Sequence, residues 1–310
     1  MTRVVVDSDA ISYACGFAVE KTWYDVAVER GDGSAEEGMF RTRDEAEAWL
    51  SYEDEATTRQ VDRRIEAEPL ANALYLASRT LNGIDSALNE RGIEFNSLEL
   101  FLTGKGNFRD ALATIKGYKA NRDPTHRPVH YKPIRRYLIN RWGAAVVDGI
   151  EADDAVAMAA AEKDYDPERI VIVTCDKDLL TVPGLQYNFQ KKRFVTVTPE
   201  EALVNFYRQL IVGDSTDNIG GAHRAGEKAA LACIVPGMTE REMYLAALAL
   251  YERGKGVKGC LYANLSAEAA LLENARLIHL KRAIHDVWQP PQDTGAGSRL
   301  GSPKGSKRKG

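Results

Sequence analysis

Apolar and polar positions change rhythm several times along this chain. The first run, RVVVD (residues 3–7), is short, continuous and β-branched, the pattern of a strand buried on both faces. SLELFLTG (97–104), AAVVDG (144–149) and RIVIVTC (169–175) repeat that pattern. Between them, PLANALYLASRTLNGIDSAL (69–88), KPIRRYLINRWG (132–143) and EADDAVAMAAAEKDY (151–165) read as helices. Strands separated by helices predict an α/β fold with a central, mostly parallel sheet flanked by helices. From Thr198 onward the pattern turns helical, in PEEALVNFYRQLI (199–211), AGEKAALACI (225–234), EREMYLAALALYERG (240–254) and AEAALLENARLIHLKRAIHDVW (267–288).

Residues 17–70 interrupt the alternation and read as an insert. TWYDVAV and GMFRT flank ERGDGSAEE as a hairpin, and RDEAEAWLSYEDEA follows as a polar helix. The organisation predicted is a first domain over 1–197, a helical region over 198–289 and a tail over 290–310. The tail is rich in Pro, Gly and Ser and basic at its end, a composition expected to be disordered. No internal repeat is visible.

Composition narrows the classes. The chain has 310 residues and a formal net charge of −4, so a surface for nucleic acid has to be a local patch. No run of about eighteen apolar residues predicts a membrane span. RVVVD near the start reads as a strand rather than a signal peptide. Cys15, Cys175, Cys233 and Cys260 form no CxxC pair, and the expectation is reduced thiols in a cytoplasmic protein.

Carboxylates recur at the ends of the predicted strands. Asp7 and Asp9 follow the first; Glu151, Asp153 and Asp154 follow AAVVD; Asp176 and Asp178 follow IVIVTC. Asp214 and Asp217 add a pair in VGDSTDNIGG. One such cluster is more simply a helix cap. Several on one rim are not. Like charges about 4 Å apart repel by on the order of 4 kcal/mol at an effective dielectric near 20, whereas a place at a helix N-terminus returns only about 0.3–1 kcal/mol. In an open parallel sheet the strand ends converge on one rim, so the acids call for cations. Oxygen ligands without a Cys/His set point to Mg²⁺ or Mn²⁺, two or more ions. Two such ions would stabilise the attacking and leaving oxygens of an in-line phosphodiester displacement.

The charge reverses between residues 104 and 141. Lys105, Arg109, Lys116, Lys119, Arg122, Arg127, Lys132, Arg135, Arg136 and Arg141 face only Asp110 and Asp123, with Phe108, Tyr118, Tyr131 and Tyr137 interleaved. Basic residues track phosphates and aromatics offer faces to unpaired bases. Three prolines in NRDPTHRPVHYKP prevent a continuous helix, which suits a basic arch over a single strand.

The series VVVDSD, GKGNFRD, YKANR, EADD, TCDKDLLTVP and GDSTDNIGG…AGEKAA resembles, in order and spacing, the flap endonuclease / 5′→3′ exonuclease family, and most of all its small phage-encoded members. The resemblance spans Arg3 to Trp288 apart from the insert. It implies a metal-dependent 5′→3′ exonuclease with flap endonuclease character. The substrate would be duplex DNA with a 5′ end, a flap or an RNA primer (an RNA–DNA hybrid), in phage-type replication or DNA degradation. A monomer with no membrane partner is expected. It implies that Asp7, Glu151, Asp153, Asp154, Asp176, Asp178, Asp214 and Asp217 hold the metals, and that Lys119 and Arg122 act on the scissile phosphate. IGGAHRAGEKAA resembles the family's helix–turn–helix element, which grips duplex phosphates, sometimes with K⁺; Gly221, Gly226 and Lys228 fit that use. Where many members carry an acid before GK, this chain has Thr103, and Asp9 is read as supplying the missing charge. Two alternatives are a PIN-like ribonuclease and a non-catalytic DNA-binding scaffold.

Overall fold

The computed structural model describes residues 1–52, 56–123, 127–162 and 169–292. Most of the expected disordered tail, 293–310, lies outside the described residues.

The chain opens with β1 (Thr2–Asp7) and α1 (Ser8–Phe17), then β2 (Glu20–Arg30), β3 (Ala35–Phe40), α2 (Arg43–Ser51), β4 (Ala56–Ala67) and α3 (Leu70–Glu90). It continues through β5 (Phe95–Asn107), α4 (Phe108–Leu112), α5 (Tyr131–Trp142), β6 (Ala145–Gly149), α6 (Ala152–Ala160) and β7 (Ile170–Val173). A short 3-10 turn (Asp178–Thr181) precedes β8 (Gly184–Asn188), β9 (Arg193–Val197), α7 (Pro199–Val212), β10 (Gly213–Asp214) and β11 (Ile219–Gly220). Three helices follow, α8 (Glu227–Cys233), α9 (Glu240–Glu252) and α10 (Ala267–Ile278).

These elements divide into two compact units, Met1–Ser8 with Ala87–Pro124 and Ala144–Gly310, and Asp9–Ser86 with Thr125–Gly143. The first contains a six-stranded sheet in the order β6-β5-β1-β7-β8-β9, parallel except for β9. Val4, Val5, Val6 and Ile170 to Val173 are all buried, as strands covered on both faces must be. Val5, Ile170 and Ile172 pack with Val156, Ala157 and Leu179. A larger core, with Tyr207, Leu210, Met243, Tyr251 and Leu271, joins α7, α8, α9 and α10.

The second unit pairs β3-β2-β4 in an antiparallel sheet. Ala73, Ala77, Leu81 and Ile84 form a buried helical stripe on α3, and α5 buries Ile134 and Leu138. The insert thus holds a third strand, β4, beyond the expected hairpin. From Thr58 to Ala67 it shows almost no buried face, and it is held by backbone pairing to β2 and by the Arg64–Asp25 ion pair at 2.8 Å. The basic segment does not form one element: after α4 it runs irregularly to residue 123 and becomes helical again at Tyr131.

Candidate metal centre

The strand ends of the first unit carry the acids. Asp7 ends β1 and is buried; the Thr174 hydroxyl, just beyond β7, donates to it at 3.2 Å. The same Thr174 oxygen accepts the Asp176 N–H at 2.9 Å, and Asp176 in turn accepts the N–H of Asp178 at 2.9 Å, starting the 3-10 turn. Burial, with Asp7 and Asp176 nearby, pushes the Cys175 thiol up to about 12.

Glu151 is the N-cap of α6, in a reciprocal box with Asp154. Glu151, Asp153 and Asp154 bring carboxylate oxygens within 4.8 Å of one another. Asp154 is also fully engaged by protein donors. Its Oδ2 accepts from Arg109 Nη1 at 2.5 Å and the Glu151 N–H at 3.2 Å; its Oδ1 accepts from Arg109 Nη2 at 2.9 Å and the Lys281 N–H at 3.1 Å. Four donors use the roughly four acceptor sites a carboxylate has. The expected ligand Asp154 is therefore an interior anchor.

Arg109 needs the same correction. Expected among the phosphate-binding residues, it is 1% exposed, and its remaining donors go to the carbonyls of Leu277 at 2.8 Å and His279 at 3.1 Å. Those two bonds lie where α10 ends, ten residues before the helical pattern in the sequence does.

Five of the acids, Glu151, Asp153, Asp178, Asp214 and Asp217, line one cavity together with Gln209; Asp7, Asp9 and Asp176 are not in its lining. Burial, then Glu151 and Asp154, raises the Asp153 carboxyl well above its ordinary value. Burial, then Asp176, Asp214 and Asp217, pushes Asp178 up to about 7. Burial also works against the Asp214 charge, but Lys177 at 3.2 Å and two backbone N–H groups outweigh it, and its pKa falls. Gln209 Nε2 donates to Asp178 at 2.8 Å and lies 3.4 Å from Asp214.

The YKANR segment reaches the cavity. The Tyr118 hydroxyl sits 2.6 Å from Glu151 and 2.7 Å from Asp217, and its one proton cannot serve both. Lys119 bonds Glu151 and lies 3.5 Å from Asp217; Arg122 pairs with Asp217 at 2.6 Å. Burial opposes the Lys119 charge, yet Glu151 and Asp217 raise its pKa. Glu151 is likewise held low by Lys119 and Arg109 against the cost of burial. An oxygen-only donor set in which two carboxyls resist ionisation fits a hard divalent cation.

The remaining expected residues are placed as follows. Asp9 belongs to the second unit and pairs there with Arg135. Thr103 accepts the Ala152 N–H at 2.9 Å, at the start of α6. Lys105, Arg127, Lys132 and Lys228 are exposed, Lys116 is half-buried, and Tyr118 is buried. Gly221 is where it is because a Cβ would lie 2.2 Å from the Ile211 carbonyl; Gly226 caps α8 with open space before it. Sequence reasoning missed Thr174, Lys177 and Gln209, although Thr174 and Lys177 both stood inside TCDKDLLTVP.

Fold and site define a class: an α/β protein that gathers carboxylates at the carboxyl edge of a parallel sheet for a hard cation. No family model matches the chain. It is 29% identical over 174 residues to a 5′-3′ exonuclease of Buchnera aphidicola, covering 52% of this chain and 58% of that one. It is 31% identical over 134 residues to the exodeoxyribonuclease of Enterobacteria phage T3, covering 42% and 44%. The matches span about half the length of these relatives. Among solved structures, the T5 5′-exonuclease with zinc bound covers 90% of both chains at 16% identity and a TM-score of 0.51, and shares the fold. These partial likenesses are to proteins named 5′-3′ exonuclease and exodeoxyribonuclease, in keeping with the flap endonuclease / 5′→3′ exonuclease resemblance of the motifs. No helix among the described residues is long and apolar enough to cross a membrane.

Proposed function

We propose that this chain is a metal-dependent 5′→3′ exonuclease with flap endonuclease character, hydrolysing duplex DNA at 5′ ends, flaps or RNA primers in replication or DNA degradation. The observation that carries the reading is the cavity in which five carboxylates converge beside Lys119 and Arg122. Relatives named 5′-3′ exonuclease and a T5 5′-exonuclease with bound zinc support it.

Glu151, Asp153, Asp178, Asp214 and Asp217 would hold Mg²⁺ or Mn²⁺, with Asp7 and Asp176 at the neighbouring strand ends. Two such ions, when bound, supply the positive charge that stabilises the attacking and leaving oxygens of an in-line displacement. Lys119 and Arg122 then leave the carboxylates and take the phosphate, neutralising charge as it develops there. Tyr118 and Gln209 hold the acids in register, and Arg109 with Asp154 fixes the α6 N-terminus beneath them. Within the first unit Lys105 and Lys116 track the strand, while Gly226 and Lys228 meet duplex phosphates, with K⁺ as an accessory ion; Arg127, Lys132 and Arg135 of the second unit offer further charge to phosphates.

Digestion of a 5′-labelled flap duplex in Mg²⁺, with EDTA and all-RNA controls, tests this. Short 5′ products formed only with the metal and from DNA are expected. Intact substrate, or faster cleavage of the RNA, would overturn the reading.

A further inference from the structure

Two asparagines, one in YKANR and one in GDSTDN, fasten those segments together. Residues 117–120 form a turn in which the Ala120 N–H bonds the Gly117 carbonyl at 3.2 Å; residues 215–218 form another, with the Asn218 N–H 3.4 Å from the Ser215 carbonyl. Each of these carbonyls also accepts from an asparagine of the other segment, Asn218 closing its turn and Asn121 just following its own. Asn218 Nδ2 lies 2.8 Å from Gly117 O, and Asn121 Nδ2 lies 2.7 Å from Ser215 O. Between the two bonds the Lys119 N–H meets the Asp217 carbonyl at 2.9 Å.

The clasp encloses unusual backbone. Lys119 has φ +52° and Asn218 φ +61°. Asparagine tolerates the left-handed region; a lysine rarely enters it, and the third position of a turn with positive φ is normally given to glycine. Something outside the turn therefore has to hold Lys119 in place. In that conformation its side chain reaches Glu151 while its own N–H stays on Asp217. Neither asparagine is buried, so their amides add little to the core.

We propose that Asn121 and Asn218 are positioning residues that hold Lys119 in its left-handed conformation, aimed at the carboxylate cavity. The inference rests on the nuclease reading above. Its test compares Asn121→Ala, Asn218→Gly and the pair, each in the wild-type and the Lys119→Ala background. Glycine accepts the left-handed backbone at 218 while removing the side-chain amide. Single-turnover cleavage of a 5′-flap duplex in Mg²⁺ at saturating enzyme is measured, with the thermal midpoint as a check on folding. Displacement of a positioned group by about 1 Å can cost roughly 100-fold, so the pair should lose about 30–100-fold in the wild-type background. With Lys119 already absent the pair should lose less than about threefold, because residues acting as one unit are not additive. Should the pair unfold, Asn121→Ala alone carries the same comparison. Equal losses in both backgrounds, or none in either, would overturn the inference alone. A wild-type protein that does not cleave would overturn the nuclease reading and this inference with it.

Discussion

Arg109 and Asp154 form a bidentate ion pair in the interior, 2.5 Å and 2.9 Å between their paired atoms, with side chains 1% and 0% exposed. The pair ties α4 to α6, and through the Leu277 and His279 carbonyls it ties both to the end of α10. Burial penalises both charges, and each partner outweighs that penalty for the other: the Asp154 pKa is lowered and that of Arg109 raised.

Asp154→Ala should therefore act on stability before chemistry. Removing one member of a buried pair typically costs about 3–5 kcal/mol, because the remaining charge stays buried without a partner. The urea midpoint of the metal-free protein should fall accordingly. Asp153→Ala, by contrast, removes a carboxyl that resists ionisation. It should leave that midpoint unchanged or raise it while abolishing cleavage. An Asp154→Ala protein with an unchanged midpoint and no activity would return Asp154 to the ligand set.

The pH dependence of the metal-free protein follows from Asp178. Its folded pKa of about 7 lies above the unfolded carboxylate value. The native state thus keeps a proton that the unfolded chain has released, and stability falls as pH rises from the unfolded pKa, about 3.9, toward 7. At 1.36 kcal/mol per unit the loss is roughly 2–4 kcal/mol, and Asp153 acts in the same direction. His279 works the opposite way, since burial lowers its pKa and neutralisation on raising pH favours the fold. Denaturation in EDTA at pH 5 and pH 8, for wild type and Asp178→Asn, separates the two. The decline with pH should shrink in the variant, and added Mg²⁺ should shrink it in wild type. An identical decline in both proteins would mean that Asp178 is ionised throughout.

What the sequence made legible follows from how each feature is encoded. β1 and β7 are buried on both faces, so composition alone marks them. The acids were legible because they recur at strand ends, a pattern in one dimension that the parallel sheet converts into proximity. β4 was not, since its charged residues are satisfied by pairing rather than by a buried face. The β8–β9 pair was missed for a similar reason: GLQYN and RFVTV are short and only partly buried. Arg109 looked like one more residue in a charge run, because its partner lies 45 positions away. Burial of a charge is decided by that partner, which local pattern does not contain.

Lys119 and Arg122 lie on Glu151 and Asp217, where they act as internal counter-ions to the acids that would bind metal. Their effects on ion binding and on cleavage should therefore have opposite signs. A divalent ion entering the cavity has to displace or repel both cations. Removing one takes away a unit charge a few ångströms from the ion, worth on the order of 1–4 kcal/mol between the dielectric of water and an effective value near 20. Lys119→Ala and Arg122→Ala should each tighten Ca²⁺ binding to the DNA-free protein about tenfold, the equivalent of roughly 1.4 kcal/mol. The same variants should lower kcat and kcat/KM together on a flap duplex in Mg²⁺, since the lost charge is needed where the phosphate becomes more negative. Titration calorimetry with Ca²⁺, free of any turnover, reads the first effect, and steady-state kinetics reads the second. Arg122→Ala should show the smaller gain, because its side chain is the more exposed, at 44% against 23% for Lys119, and water screens it. Weaker Ca²⁺ binding in both variants would mean that the two cations organise the carboxylates for the ion instead of competing with it. Their pairing with Glu151 and Asp217 would then be part of the site's assembled state.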